Sequence, residues 1–149
     1  MELLRELSVV SERMNNILQA IDPETHRVYS ELRQLMTAKY AWYAAFAAID
    51  PLVWIGRSLI FNRATPEHLD SNDAVAGWAA LLPLGYFEGG EICIPHLGLV
   101  IKFPGGTLGL IRGTILKHYI LAFFGGQRVS TAHFVHQSSL NEFGLRIGN

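Results

Sequence analysis

The residue types best suited to chemistry lie in residues 62–73, where His68 and Asp70 are separated by one residue. In an extended segment, side chains two positions apart point to the same face. An imidazole and a carboxylate on one face provide two ligands of the arrangement of two histidines and one carboxylate that holds non-haem Fe(II) with open positions. An H-x-D pair is common by chance, so the prediction of a metal site depends on a third ligand elsewhere in the chain.

His118 is the candidate for that third ligand. Several strand-like segments separate it from Asp70, and such a separation can return the chain to the same end of a two-sheet roll. Arg128 follows ten residues after His118, and Ser130 shares its face of the same predicted strand. A guanidinium presents a planar fork that binds a carboxylate bidentately, and a serine hydroxyl can donate to the same carboxylate. The sequence therefore predicts a metal site accompanied by an anchor for an anion.

Two helices are predicted before the strands. The first carries a stripe with heptad-like spacing, formed by Leu3, Leu7, Val10, Met14, Ile17 and Ile21 and widened by Leu4 and Leu18. This stripe either covers the domain's own sheet or pairs with a second copy as a homodimer. Asp22 is expected to cap a second helix that begins at Pro23 and ends at about Ala48. We expect the last turns of that helix, residues 42–48, to be buried on all sides.

After Pro51 the pattern changes to short segments rich in β-branched and aromatic residues. Glycine and proline separate them, which is typical of a β-sandwich or barrel. The segments are residues 52–61, 77–84, 91–94, 97–103, 107–111, 117–124 and 127–135, with turns at Gly85 and Gly125-Gly126. We therefore predict an α+β fold in a single domain, residues 1–149, with helical support in 1–50 and a jelly-roll core in 51–149.

Composition narrows the class of protein. Half of the 149 residues are apolar and 17% are charged, which fits a compact globular chain and excludes a disordered one. Cys93 is the only cysteine, so no intramolecular disulfide can form and a reducing compartment is expected. The charged start M-E-L-L-R-E-L argues against a signal peptide, and no apolar run is long enough to span a membrane. We expect an intracellular protein that is not secreted and has no membrane partner.

The formal net charge of −1 is unevenly distributed. Residues 66–94 carry five carboxylates and no Lys or Arg, whereas residues 95–149 carry five basic side chains and one acidic side chain. A concentrated anionic segment is reasonable beside a cation, although exposed loop carboxylates would account for most of it. No basic patch has the density that is usual in nucleic-acid-binding proteins.

The order H-x-D, a distal His and then R-x-S ten residues later resembles that of the Fe(II)/2-oxoglutarate-dependent dioxygenases. The wider wording resembles the fungal, often transposon-associated branch of the TET/JBP-like oxygenases. It consists of N-R-A-T-P-E-H-L-D-S-N-D-A-V-A-G-W-A-A-L, G-Y-F-E-G-G-E-I-C-I-P-H-L-G-L, L-K-H-Y-I and F-G-G-Q-R-V-S-T-A-H-F-V-H-Q. The resemblance covers residues 51–137 and implies a double-stranded β-helix (a cupin-like jelly roll) behind two supporting helices.

The resemblance implies a role for each matching residue. His68, Asp70 and His118 would hold Fe(II), while Arg128 and Ser130 would bind 2-oxoglutarate, which is consumed together with O₂. The resemblance also implies a contact of Asn62 with 2-oxoglutarate or substrate. From their positions alone, Asp73 is a candidate for substrate contact or for closing a turn, and His136 is a candidate for contact with co-substrate or substrate or for a core role. Strict alternation along the last predicted strand would place His136 on the face of Arg128.

In TET/JBP relatives the oxidised bond belongs to the methyl group of a pyrimidine flipped out of the duplex. The resemblance therefore implies oxidation of a 5-methylcytosine-like base in nucleic acid, a route to demethylation, and a nuclear location. Two alternatives stay open. The first is the same chemistry on a small molecule, a free nucleoside or a protein side chain, which the balanced charge supports. The second is a catalytically silent jelly-roll binding module, against which the intact residue set argues.

Overall fold

The computed structural model describes residues 2–148, except for the side chain of Leu3. The chain divides into two compact units. The helical unit comprises Met1–Ile55 and Val135–Asn149, and the β unit comprises Gly56–Phe134. The β unit is thus a continuous stretch of chain, whereas the helical unit is assembled from the segments on either side of it. The expectation of a single domain stays a prediction.

The helical unit contains α1 (Glu2–Glu6), α2 (Ser8–Ile21), α3 (Pro23–Lys39), α4 (Ala41–Ala47) and α5 (Gln137–Glu142). The predicted cap of α3 is confirmed, because Asp22 Oδ1 accepts the N–H of Thr25 at 3.0 Å. Helices α2 and α3 pack together, with Met14 and Leu18 of α2 buried. None of the helices in the described range combines the length and apolar character needed to cross a membrane.

Two predictions about the helices are wrong. The chain interrupts both expected helices, at Leu7 between α1 and α2 and at Tyr40, whose extended backbone (φ −120°, ψ 108°) separates α3 from α4. Residues 42–48 are also not buried on all sides. Tyr43 is buried, but 59% of Trp42 and 46% of Phe46 are exposed. Helix α4 therefore lies at a surface of its unit, and its exposed side is apolar.

The stripe predicted along the first helix is only partly buried. Met14 is buried, whereas Ile17 and Ile21 are exposed on α2. The buried side of α2 consists of Ser11, Met14 and Leu18, so the face that packs within the unit is the edge of the predicted stripe that Leu18 widens. Pairing of the helix with a second copy stays a prediction.

The β unit contains two antiparallel sheets. Its strands are β1 (Gly56–Phe61), β2 (Ala79–Gly89), β3 (Ile92–Ile94), β4 (Leu99–Ile101), β5 (Gly109–Ile111), β6 (Tyr119–Ile120) and β7 (Phe123–Phe134). One sheet has the order β1-β7-β2-β5 and the other β4-β3-β6. The two sheets do not close into a barrel. Helices combined with antiparallel sheets confirm the α+β class.

Long strands β2 and β7 replace the turns that were predicted at Gly85 and Gly125-Gly126. Gly85 lies inside β2 with φ +100°, and a Cβ there would lie 2.2 Å from the carbonyl oxygen of Gln127 in β7. A register shift between Tyr86 and Glu88 marks a bulge just beyond it. These glycines permit close approach and bending within a strand. As a result, β7 passes Arg128 without a break, and the arginine lies on a central strand.

A series of hydrogen bonds between buried polar groups crosses the four-stranded sheet. Arg57 Nε donates to His133 Nδ1 at 3.1 Å, His133 Nε2 lies 2.9 Å from Thr131 Oγ1, and that hydroxyl donates to the carbonyl of Leu82 at 3.2 Å. Because arginine only donates, His133 Nδ1 must accept, and its proton lies on Nε2. Burial, together with the charge of Arg57, lowers the pKa of His133 to about 3. This histidine is therefore neutral in the folded protein.

We expect acid to weaken the folded state through His133. The pKa of His133 is about 3 in the folded protein and 6.5 at its ordinary value. Between these two pH values the unfolded chain therefore binds a proton at His133 and the folded chain does not. The contribution is complete above pH 6.5 and decreases as the pH falls towards 3; by pH 5 the loss is about 2 kcal/mol. Urea unfolding at pH 7.5 and pH 5 measures this loss. In His133→Gln this share of the pH dependence should vanish, and an unchanged dependence would contradict the assignment.

Candidate metal centre and anion anchor

The metal loop, defined here as residues 62–73, follows β1 and is hydrogen-bonded to the rest of the β unit along its length. Backbone hydrogen bonds join four of its residues to four residues outside it: Asn62 to Arg128, Thr65 to Ile120, His68 to His118 and Asp70 to Gly113. The His68–His118 pair is reciprocal, with two N–H···O bonds of 3.1 Å each. A loop held at four points has lost most of its backbone freedom, so its side chains have fixed starting positions.

Three of the predicted site residues meet at this loop. The ligand atoms of His68, Asp70 and His118 all lie within 4.8 Å of one another. Nε2 of His68 is 3.3 Å from Asp70 Oδ1, and Nε2 of His118 is 3.8 Å from Asp70 Oδ2. No other group of three such side chains occurs in residues 2–148. Two imidazoles and one carboxylate on one side match the facial ligand set that leaves other metal positions open.

Both histidines turn the same nitrogen towards this centre. His68 Nδ1 lies 2.9 Å from the carbonyl oxygen of Pro66, and His118 Nδ1 lies 3.0 Å from that of Leu116. Because a carbonyl oxygen only accepts, each Nδ1 carries a proton, and in the neutral ring the lone pair therefore lies on Nε2, the nitrogen that faces Asp70. Burial lowers the pKa of His118, which favours the neutral ring that binds metals. Backbone contacts of this kind orient metal-binding histidines.

Gly113 completes the centre, although its place between two predicted strands indicated only a turn. Its carbonyl oxygen accepts the N–H of Asp70 at 2.9 Å. A Cβ on Gly113 would lie 2.0 Å from Asp70 Oδ2 and 2.8 Å from its Cγ. The missing side chain therefore leaves the space that the carboxylate occupies. No local signal distinguishes this glycine from the other loop glycines, because its role depends on what faces it.

Arg128 forms a buried cationic site on β7. Only 2% of the residue is exposed. Its Nη1 donates to Ser130 Oγ, and its Cζ lies 5.3 Å and 5.4 Å from the ring centroids of Phe87 and Phe123. Burial lowers the pKa of Arg128, yet a guanidinium keeps its charge at any ordinary pH.

The guanidinium of Arg128 has unused capacity for an anion. Its Nε is buried and has no hydrogen-bond partner, and no carboxylate of residues 2–148 forms an ion pair with it. Buried charges in proteins are normally paired. A carboxylate from a ligand would supply both the missing counter-charge and the missing acceptor.

The other predicted site residues lie outside the group of three candidate metal ligands. Ser130 contacts Arg128, as its spacing suggested. The side chain of Asn62 is engaged with protein, since its Oδ1 accepts the N–H of Arg128 at 2.8 Å. Asp73 is half-buried in the metal loop. His136 lies beyond the end of β7, at the start of α5 in the helical unit, so strand alternation does not extend to it. The ligand and substrate roles of all these residues stay predictions.

Comparison with known proteins identifies a structural relative. The structure of NgTET1 in complex with 5mC DNA superposes with a TM-score of 0.69 over 93% of this chain. The fold is TET-like. Sequence identity to NgTET1 is 14%, so the similarity is one of fold, and this chain spans about half (52%) of the NgTET1 chain. The sequence matches no protein-family model and no curated protein.

Proposed function

We propose that this chain is an Fe(II)/2-oxoglutarate-dependent dioxygenase of the TET/JBP-like group, with a double-stranded β-helix core. In this proposal it oxidises the methyl group of a 5-methylcytosine-like base in nucleic acid, and a nuclear location follows from that substrate. The observation that carries the proposal is the convergence of two imidazoles and one carboxylate, whose ligand atoms lie within 4.8 Å of one another. The buried, unpaired Arg128 in the same unit supplies an anchor for a co-substrate carboxylate.

The donor set fits the metal. Two neutral imidazoles and a carboxylate are the ligands that non-haem Fe(II) oxygenases use, and His68, Asp70 and His118 provide them. Bound there, Fe(II) and 2-oxoglutarate supply an O₂-derived oxidant, with one oxygen atom entering the substrate C–H bond and the other entering succinate as CO₂ is lost. The carbonyls of Pro66 and Leu116 accept from Nδ1 of each ring and so orient both Nε2 atoms towards the metal position.

The residues around Arg128 suit a carboxylate. Its fork can donate two parallel hydrogen bonds to the distal carboxylate of 2-oxoglutarate. Phe87 and Phe123 flank the guanidinium and limit access of water, which strengthens the electrostatic attraction. Ser130 holds one edge of the guanidinium and can donate its own hydroxyl proton to the ligand. These residues therefore bind and orient the co-substrate.

The nucleic-acid substrate is supported by the TET-like fold, because the similar structure is that of NgTET1 with 5mC DNA. One observation favours a second candidate, the same oxidation of a free nucleoside or another small molecule. Residues 66–94, which include most of the metal loop, carry five carboxylates and no basic residue. That segment would repel the phosphates of a nucleic-acid backbone, which normally supply much of the affinity for a binding protein.

The metal and co-substrate are tested first. The protein is loaded anaerobically with Fe(II), and addition of 2-oxoglutarate should produce a weak visible charge-transfer band. His118→Ala should lose the band because a ligand is missing, whereas the matched control His96→Ala, at an exposed position in the turn after β3, should retain it. If the wild-type protein gave no band, or if His118→Ala kept it, the iron proposal would be abandoned.

Substrate class is tested by succinate release. Methylated DNA, methylated RNA and free 5-methylated nucleosides are compared in parallel, with unmethylated DNA as the control. The proposal expects stimulation above the uncoupled background by a methylated nucleic acid. A response to free nucleosides alone would replace it with the small-molecule candidate.

A further inference from the structure

Asn62 has the most unusual backbone near the proposed co-substrate anchor. It is the one non-glycine residue with positive φ (47°) in the described chain. Asparagine tolerates this left-handed region better than most residues because its short side chain can form local hydrogen bonds. Such a conformation is costly enough that the surrounding structure must enforce it.

The backbone N–H and the backbone carbonyl of Arg128 are both hydrogen-bonded to Asn62. The N–H of Asn62 donates to the carbonyl of Arg128 at 2.8 Å, and the N–H of Arg128 donates to the side-chain Oδ1 of Asn62 at 2.8 Å. In an ordinary antiparallel pair the second bond would go to the backbone carbonyl of the partner residue. Here the amide side chain replaces that carbonyl.

The replacement occurs at Arg128, where the β1–β7 ladder ends, whereas the β2–β7 pairing continues past it. The β1–β7 ladder stops at the pair Phe61–Val129, and the left-handed turn at Asn62 then directs the chain into the metal loop. On the other side, Arg128 faces Gly85, which has φ +100° and adjoins the bulge of β2. The side chain of Asn62 thus adds one final rung to the sheet after the backbone has already turned away.

We propose that Asn62 is a positioning residue for Arg128, holding the backbone from which the guanidinium projects, and that it acts without contacting 2-oxoglutarate itself. The inference rests on the proposed function only for the identity of the anion. Bidentate recognition depends on the placement of a rigid fork, so a loosened Arg128 backbone weakens the anchor. The three other backbone attachments of the metal loop do not involve Asn62, so metal binding should be independent of it.

Two variants separate the acceptor from the backbone conformation. Asn62→Gly keeps access to positive φ but removes the acceptor, and Asn62→Asp keeps an oxygen in place and tolerates the same conformation. Amide hydrogen exchange measured by NMR on the metal-free protein reports on the N–H of Arg128 directly. We expect that amide to exchange at least roughly tenfold faster in Asn62→Gly, with protection retained in Asn62→Asp. Equal protection in Asn62→Gly, or its loss in Asn62→Asp, would overturn the proposal.

The functional consequence is measured with protein loaded with Co(II). Asn62→Gly should bind 2-oxoglutarate roughly tenfold more weakly, with unchanged affinity for Co(II). The matched control Asn141→Gly, at an exposed position in α5, should leave both affinities at the wild-type value. Unchanged 2-oxoglutarate affinity in Asn62→Gly, or an equal loss of Co(II), would contradict the positioning role. If the wild-type protein itself failed to bind 2-oxoglutarate, the proposed function would fall, and the exchange measurement would still decide whether Asn62 fixes Arg128.

Discussion

Replacing Gly113 with alanine is expected to weaken metal binding at least about 100-fold while the fold survives. The new Cβ would lie 2.0 Å from Asp70 Oδ2, a distance that no pair of non-bonded atoms tolerates. The carboxylate is the end of a short side chain that remains partly exposed, so it can rotate away at little cost. Gly113 has no positive φ that alanine would strain. The substitution thus removes a ligand by displacing it.

Metal binding by Gly113→Ala is measured by anaerobic titration with Fe(II) or by the visible absorption of bound Co(II). Asp70→Ala provides the reference for complete loss of the carboxylate. Gly148→Ala is the matched control, because a Cβ there meets only Glu24 at 3.8 Å and should change nothing. Thermal unfolding confirms that each variant is folded. Wild-type metal affinity in Gly113→Ala would show that Asp70 is not a ligand.

Arg128→Lys is expected to weaken 2-oxoglutarate binding about 100-fold, or about 2.7 kcal/mol, while metal binding persists. Lysine keeps the positive charge but loses the planar fork, so it cannot donate two parallel hydrogen bonds to one carboxylate. It also loses the favourable stacking of the guanidinium over Phe87 and Phe123. The substitution therefore tests geometry separately from charge.

Two titrations decide the outcome for Arg128→Lys: 2-oxoglutarate binding to the Co(II)-loaded protein, and Co(II) binding alone. Arg146→Lys, at an exposed position near the end of the described chain, is the matched control and should leave both unchanged. An equal loss of metal and 2-oxoglutarate in Arg128→Lys would mean that Arg128 supports the whole site, and that its assignment as the anion anchor is wrong.

Local patterns predicted where most strands lie. Short apolar segments bounded by glycine and proline located β3, β4 and β5 within a few residues, because those two residue types end regular structure locally. Asp22 was found in the same way, since an Asx residue before proline is a local capping signal. These features could be predicted because the residues that cause them are adjacent in the chain.

Other features depend on contacts that the local sequence does not contain. Gly125 resembles a turn residue, yet it lies within β7, since a glycine that permits a bulge looks the same as one that closes a turn. The interruption of the helix at Tyr40, between α3 and α4, is not marked in the sequence by a glycine or a proline. Helix α5 has no side-chain cap at His136 and only six residues, too few to show a helical period.

The site likewise contains some residues that the local sequence predicts and others that depend on distant contacts. The spacing of His68 and Asp70 suggested a shared face, and order along the chain suggested His118, but only the backbone bridge between His68 and His118 brings the two imidazoles together. The parts played by Gly113 and Asn62 could not be predicted. Each depends on a single facing group, the carboxylate of Asp70 for one and the backbone of Arg128 for the other.

The β unit begins and ends on one rung of its sheet, since Gly56 is paired with Phe134. The three candidate ligands and the anchor Arg128 all lie between these two residues. A segment whose ends are adjacent can be inserted into, or excised from, a host chain without stretching either partner. The candidate ligands and Arg128 are therefore carried by one continuous segment whose two ends are neighbours in the sheet, so transfer of that segment between chains would keep all four residues together.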